Sequence, residues 1–103
     1  MKYKIDFEKL NWNVPLQGIR HKYLDQEGIR VRLVEYDRSM PPHWCERPHF
    51  GIVLEGEFKV EFDHETQHYK KGEALFLPAG KDHRHMGTSV TDKTLVFFIE
   101  LVE

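Results

Sequence analysis

Within PPHWCERPHFGIVLEGEF, positions 41–58, stand three side chains that bind metals well: His43, Cys45 and His49. Side chains alternate across a β-strand, so residues two and six apart share a side. If this stretch is a regular strand, two imidazoles and one thiol lie on one face, the donor types preferred by zinc, iron and copper. His83, three residues past Gly80, offers a fourth donor from a second segment, and two antiparallel strands can aim four donors at one point. The same spacing is met equally by half-exposed histidines and a small buried cysteine, because free cysteine is among the most buried residue types. The pattern speaks against a conventional zinc finger, since a single cysteine and the wide gap from His49 to His83 fit no finger spacing.

The other histidines divide by position. His85 lies two residues from His83 and can share its face, as a support for a ligand, as an alternative ligand, or as an exposed strand residue. His64 and His68 flank an expected hairpin turn and belong on the surface. Glu46, Arg47, Lys81 and Asp82 read as solvated turn charges, so no catalytic base is assigned.

The elements that must position these groups read as strands and turns. Ile29, Val31 and Leu33 alternate with Arg30 and Arg32, and Phe58, Val60 and Phe62 alternate with Lys59, Glu61 and Asp63, so both segments read as half-buried strands. They are expected to be consecutive strands of one antiparallel sheet. Glu55-Gly56 and Tyr69 to Gly72 read as turns, and Ala74 to Leu77 as a strand stopped by Pro78-Ala79-Gly80. The interior lining is expected from Val53, Phe58, Val60, Phe76 and Leu77. The run Thr94 to Val102 is apolar on both parities and needs cover on both faces, which predicts a homodimer. Between Met1 and Gln26, Tyr3, Ile5 and Phe7 alternate like an edge strand, while Asn11 to Pro15 reads as irregular, and the aromatic residues of this first stretch are expected to pack over a barrel end. Frequent turns without linkers or repeats suit an all-β sandwich or barrel.

Composition bounds what this domain can be. With 103 residues the chain reads as one domain, residues 1–103, of which 1–26 form an edge strand and cover and 27–103 the barrel. Hydrophobic residues at 40 %, charged residues at 31 % and a net charge of −2 describe a globular chain whose basic residues are interspersed with acidic ones, so no nucleic-acid partner is expected. Charges interrupt the first ten residues, and no segment approaches the ~20 apolar residues of a membrane span. The expectation is a cytoplasmic protein without a membrane partner, whose one cysteine stays reduced.

The order of these residues resembles the cupin superfamily, from about Gly28 onward. The first cupin motif places two histidines one residue apart, a glutamate or glutamine four residues on, and a glycine seven further; here those places hold His43, Cys45, His49 and Gly56. The second motif is met without a gap by Gly72, Pro78, Gly80 and His83 in GEALFLPAGKDH. The resemblance implies a double-stranded β-helix, the cupin or jelly-roll barrel, with a metal bound inside by His43, Cys45, His49 and His83. Asp37 replaces the glycine that usually opens the first motif, and Met86-Gly87 stands where an asparagine usually closes the second. The larger departure is in the ligands: the second histidine has become Cys45 and the acidic ligand His49. Formal ligand charge is kept, because a metal-bound cysteine is deprotonated. A thiolate turns preference from manganese and magnesium toward one zinc, iron, nickel or copper ion per chain. If Cys45 turns aside, His43, His49 and His83 remain as a three-histidine site with open positions.

Three functions are compatible with this reading. The first is a metal-dependent enzyme, oxygenase-like or isomerase-like, acting on a small molecule held in the barrel. The second is a non-catalytic module that binds or senses a small ligand through a structural or anchoring metal. The third is a metal-free barrel serving dimerisation. A fold hosts unrelated activities, so the site must choose among them.

Overall fold

The computed structural model describes residues 1–102. Nine strands follow in order: β1 (Asn13–Leu16), β2 (Ile19–Gln26), β3 (Ile29–Asp37), β4 (His49–Glu55), β5 (Glu57–Glu61), β6 (Thr66–Lys70), β7 (Ala74–Leu77), β8 (Met86–Ser89) and β9 (Lys93–Leu101). They form a six-stranded sheet, β1-β2-β3-β9-β4-β7, and a three-stranded sheet, β6-β5-β8. Every pairing is antiparallel. The all-β jelly roll expected from the motifs is the observed fold.

The two sheets meet over one apolar core: Val34 from β3, Val53 from β4, Phe58 and Val60 from β5, Leu75 and Leu77 from β7, Val96 and Phe98 from β9. A polar seam also joins them, where buried Thr94 Oγ1 donates to Glu57 O at 2.8 Å and lies 2.7 Å from Ser89 Oγ. Two glycines permit the path of β4. Gly56, at φ 82°, makes the turn into β5 against the backbone of Lys93. Gly51 lets β4 approach β9 so closely that a Cβ there would meet Phe97 O at 2.1 Å.

Several strand assignments shift. The segments Gly28 to Val34 and Phe58 to Asp63 are strands, but they are not neighbours: β3 lies in the larger sheet between β2 and β9, and β5 in the smaller between β6 and β8. Within β3 the inner face carries Val34 with Arg32, while Ile29, Val31 and Leu33 face outward. Alternation identifies a strand without saying which parity meets the core, and an outward row that is itself partly covered hides the answer. In β7 the expected lining is half met: Leu77 is buried, together with Leu75, but Phe76 is 73 % exposed. Phe76 and Leu77 are adjacent, so a pleated strand cannot turn both inward.

The first 26 residues also differ from the reading. Tyr3, Ile5 and Phe7 form no strand; a short 3-10 turn spans Phe7–Lys9, and β1 and β2 follow instead. Phe7 packs edge-on against Phe97 at 6.0 Å, and Trp12 lies under Arg20 and Lys22 at 4.2 and 4.6 Å. This cover falls on the outer face of the large sheet, not on a barrel end. Part of the second face of β9 is thus covered by the chain's own N-terminal segment. No helix among the described residues is long and apolar enough to cross a membrane.

Candidate metal centre

Between β3 and β4 the chain carries Pro41, Pro42 and Pro48, which lack the N–H a ladder needs. Residues 41–48 are therefore a loop and not the regular strand that the parity argument assumed. The loop is pinned by an antiparallel bridge, in which Cys45 N donates to His85 O at 2.8 Å and His85 N to Cys45 O at 2.9 Å, and by Gly80 N, which donates to Glu46 O at 3.0 Å. Cys45 is thereby held beside the entrance to β8, and β4 begins four residues later at His49.

The donors that meet are Cys45, His49 and His85, whose ligand atoms all lie within 4.8 Å of one another. Cys45 Sγ is 3.7 Å from His49 Nε2, and the rings of His49 and His85 stand edge to face at 5.4 Å. Tetrahedral bonds of ~2.1 Å to nitrogen and ~2.3 Å to sulfur set the ligands of one ion about 3.4 to 3.6 Å apart. The Cys45–His49 pair is therefore already spaced for one ion, and the group as a whole needs to close by at most about an ångström. Cys45 and His49 come together as the spacing suggested, through a loop closure in place of strand parity.

His43 and His83 stand outside this group. His43 is exposed, with its ring 3.4 Å from Pro41 O. His83 is exposed at the end of a 3-10 turn, Lys81–His83, entered through Gly80 at φ 112°. The turn rotates His83 outward and leaves His85 to face the thiol. His83 contributes its carbonyl, which accepts from His85 Nδ1 at 3.2 Å. With the proton on Nδ1, the Nε2 of His85 presents a bare lone pair. That atom is buried and has no hydrogen-bond partner among the described residues. A buried lone pair facing a thiol and a second imidazole nitrogen is the environment a soft divalent cation completes, so the residues present fit a metal.

His49 is anchored from behind. A carboxylate only accepts, so His49 Nδ1 donates to Glu100 Oε2, at 2.6 Å. The same oxygen accepts from Arg32 Nη2 at 2.8 Å, and Arg32 Nη1 donates to His21 Nδ1 at 3.2 Å. Charge follows this geometry. The hydrogen bond shared with His49 pulls the Cys45 thiol down to about 5, and the neighbouring His85 ring acts in the same direction. Burial acts to lower the His49 imidazole, but its bonds to Cys45 and Glu100 outweigh it and raise the ring above its usual range. Burial likewise opposes the ionised Glu100, yet His49 and Arg32 hold that carboxyl below the usual range. His21 is lowered, by burial first and by Arg32 second.

Glu100 and Arg32 were not visible as site residues. Glu100 sits inside a run read as wholly apolar, and a carboxylate at the inner parity of Phe98 was the available signal. Arg32 was the outward half of an alternation whose parity is reversed.

The profile of the cupin domain family, Cupin_2, matches residues 30–100. The chain belongs to the cupin family. Three solved structures are similar to this cupin. KdgF from Halomonas sp. is 26 % identical with a TM-score of 0.71, the match covering 89 % of this chain and 87 % of that one. The polyketide cyclase RemF from Streptomyces resistomycificus is 20 % identical with a TM-score of 0.79, covering 100 % and 81 %. An RmlC-like cupin from Shewanella frigidimarina is 16 % identical with a TM-score of 0.77, covering 100 % and 93 %. The last two likenesses concern the fold alone. No curated protein matches this cupin.

Proposed function

We propose that this cupin binds one divalent transition metal through Cys45 Sγ, His49 Nε2 and His85 Nε2, and works as a metal-dependent enzyme, oxygenase-like or isomerase-like, on a small molecule. The observation that carries the reading is the buried, unpartnered Nε2 of His85 beside Cys45 and His49. Three protein donors leave coordination positions open, as catalytic sites require. When bound, the metal supplies Lewis acidity toward an oxygen of the substrate. The chain's own residues fix the two imidazoles by their Nδ1 protons and hold the thiol as thiolate. The reading includes a homodimer in the cytoplasm, where the thiol stays reduced.

The second reading is a non-catalytic module that binds or senses a small ligand, with the metal as anchor. The thiolate in the donor set favours it, because closed structural zinc sites are built from cysteine and histidine.

Elemental analysis of protein purified without added metal tests the common part. The expected result is close to one zinc, iron, nickel or copper per chain, lost in His85→Ala and retained in His64→Ala, His43→Ala and His83→Ala. A metal-free wild type overturns both readings. Cobalt-substituted protein is expected to show sulfur-to-metal charge-transfer absorption that Cys45→Ser lacks. Binding of azide or nitric oxide to the metal supports the enzyme, and a closed site supports the anchor.

A further inference from the structure

We infer that Glu100, clamped by Arg32, is a positioning residue that holds His49 with its proton on Nδ1 and its Nε2 lone pair turned to Cys45 and His85. The inference rests on the metal-binding reading for its purpose, but its geometry stands by itself. Arg32, Glu100 and His49 come from three adjacent strands of the large sheet, β3, β9 and β4, all on the inner face. Their side chains are 14 %, 11 % and 18 % exposed. One oxygen, Glu100 Oε2, receives both the Arg32 and the His49 donor. The guanidinium is fixed in turn by His21 on β2, so four neighbouring strands each contribute one member of a continuous chain.

Stability alone does not explain this arrangement. A buried ion pair recovers little more than its own desolvation cost, and apolar residues of similar volume would join β3 to β9 as well. What an apolar pair cannot do is choose a histidine tautomer. In a neutral imidazole one nitrogen donates and the other accepts, and the partner of the first decides which. The carboxylate takes the Nδ1 proton, and Nε2 is left as a donor atom toward the thiol. Carboxylates placed so behind ligating histidines typically contribute a factor of about 10 to 100 in metal affinity. Arg32 keeps the carboxylate ionised and limits it to one orientation.

The test uses Glu100→Gln, which keeps shape and removes charge, and the double variant Arg32→Met/Glu100→Leu, which removes both charges together. Zinc affinity is measured by competition with a chromophoric chelator, and the exchangeable Nδ1 proton of His49 is followed by NMR in the zinc-loaded protein. The expected result is affinity weaker by about 10- to 100-fold in the double variant, with the proton lost to fast exchange. Glu100→Gln is expected to weaken affinity less and to shift that proton's resonance. Affinity within twofold of wild type and an unmoved proton in either folded variant would overturn the inference. If the double variant does not fold, Glu100→Gln alone decides. If the wild type takes up no zinc, the metal reading fails separately. The nitrogen shifts of His49 in metal-free protein, in alkaline buffer where the ring is neutral, then decide: Nδ1–H upholds the positioning role and Nε2–H ends it.

Discussion

A thiol lowered to about 5 beside an imidazole raised above its usual range amounts to an ion pair in the metal-free protein. The two groups act on stability with opposite signs. The unfolded chain keeps a proton on Cys45 up to the ordinary thiol value of 9.0 while the folded chain releases it near 5, so the thiol's contribution grows as pH rises across that window. His49 does the reverse: its contribution is complete below 6.5 and is lost as pH climbs through its raised folded value. Thiolate ultraviolet absorbance of metal-free protein is therefore expected to titrate with a midpoint near 5. In His49→Ala the midpoint is expected to move up toward the ordinary thiol value, because the largest cause of the lowering is gone. A midpoint near 9 in the wild type would show that the thiol does not share its proton with the rings.

Strands place these residues, and the limits of reading them from sequence are limits of parity. The spacing of Phe58, Val60 and Val53 identified true core residues, because one face of each strand is packed and the other is not. Where both faces are partly covered, as in β3 and β9, the alternation was visible but its direction was not, which hid Arg32 and Glu100. The site was half legible for a related reason. Cys45 and His49 stand at motif positions, but a proline-rich loop and one backbone bridge bring them together, and a 3-10 turn exchanges His83 for His85; neither follows from period two. Two substitutions test the observed parity and closeness in urea melts. Leu75→Ala, in a residue 2 % exposed, is expected to cost about 2 to 5 kcal/mol. Gly51→Ala forces a Cβ onto Phe97 O and is expected to cost about 1 to 3 kcal/mol or more. A loss under about 0.5 kcal/mol, the range of ordinary surface substitutions, would contradict the packing at either position.

The outer face of the large sheet carries the argument for a second copy of the chain. Leu24, Val31, Ile99, Phe50 and Phe76 are cross-strand partners in one row from β2 through β3, β9 and β4 to β7. Five strands span about 19 Å at ~4.8 Å spacing. The next row, with Leu33 and Phe97, is covered by Phe7, but Ile99 is 40 % exposed, Phe76 73 % and Leu101 76 %. An apolar row of that length on a sheet face marks an interaction surface, and a self-pairing face is the commonest route to a closed dimer. The metal donors lie on the opposite, inner face, so pairing through the row leaves them untouched. Sedimentation at micromolar concentration is expected to give twice the 12.3 kDa chain mass for the wild type and the single mass for Ile99→Lys, where a charge replaces the centre of the row. Because the two faces are independent, Ile99→Lys is also expected to retain the wild-type metal content. A monomeric wild type would remove the dimer and leave the metal centre standing, whereas loss of both dimer and metal in Ile99→Lys would show that the centre depends on the pairing.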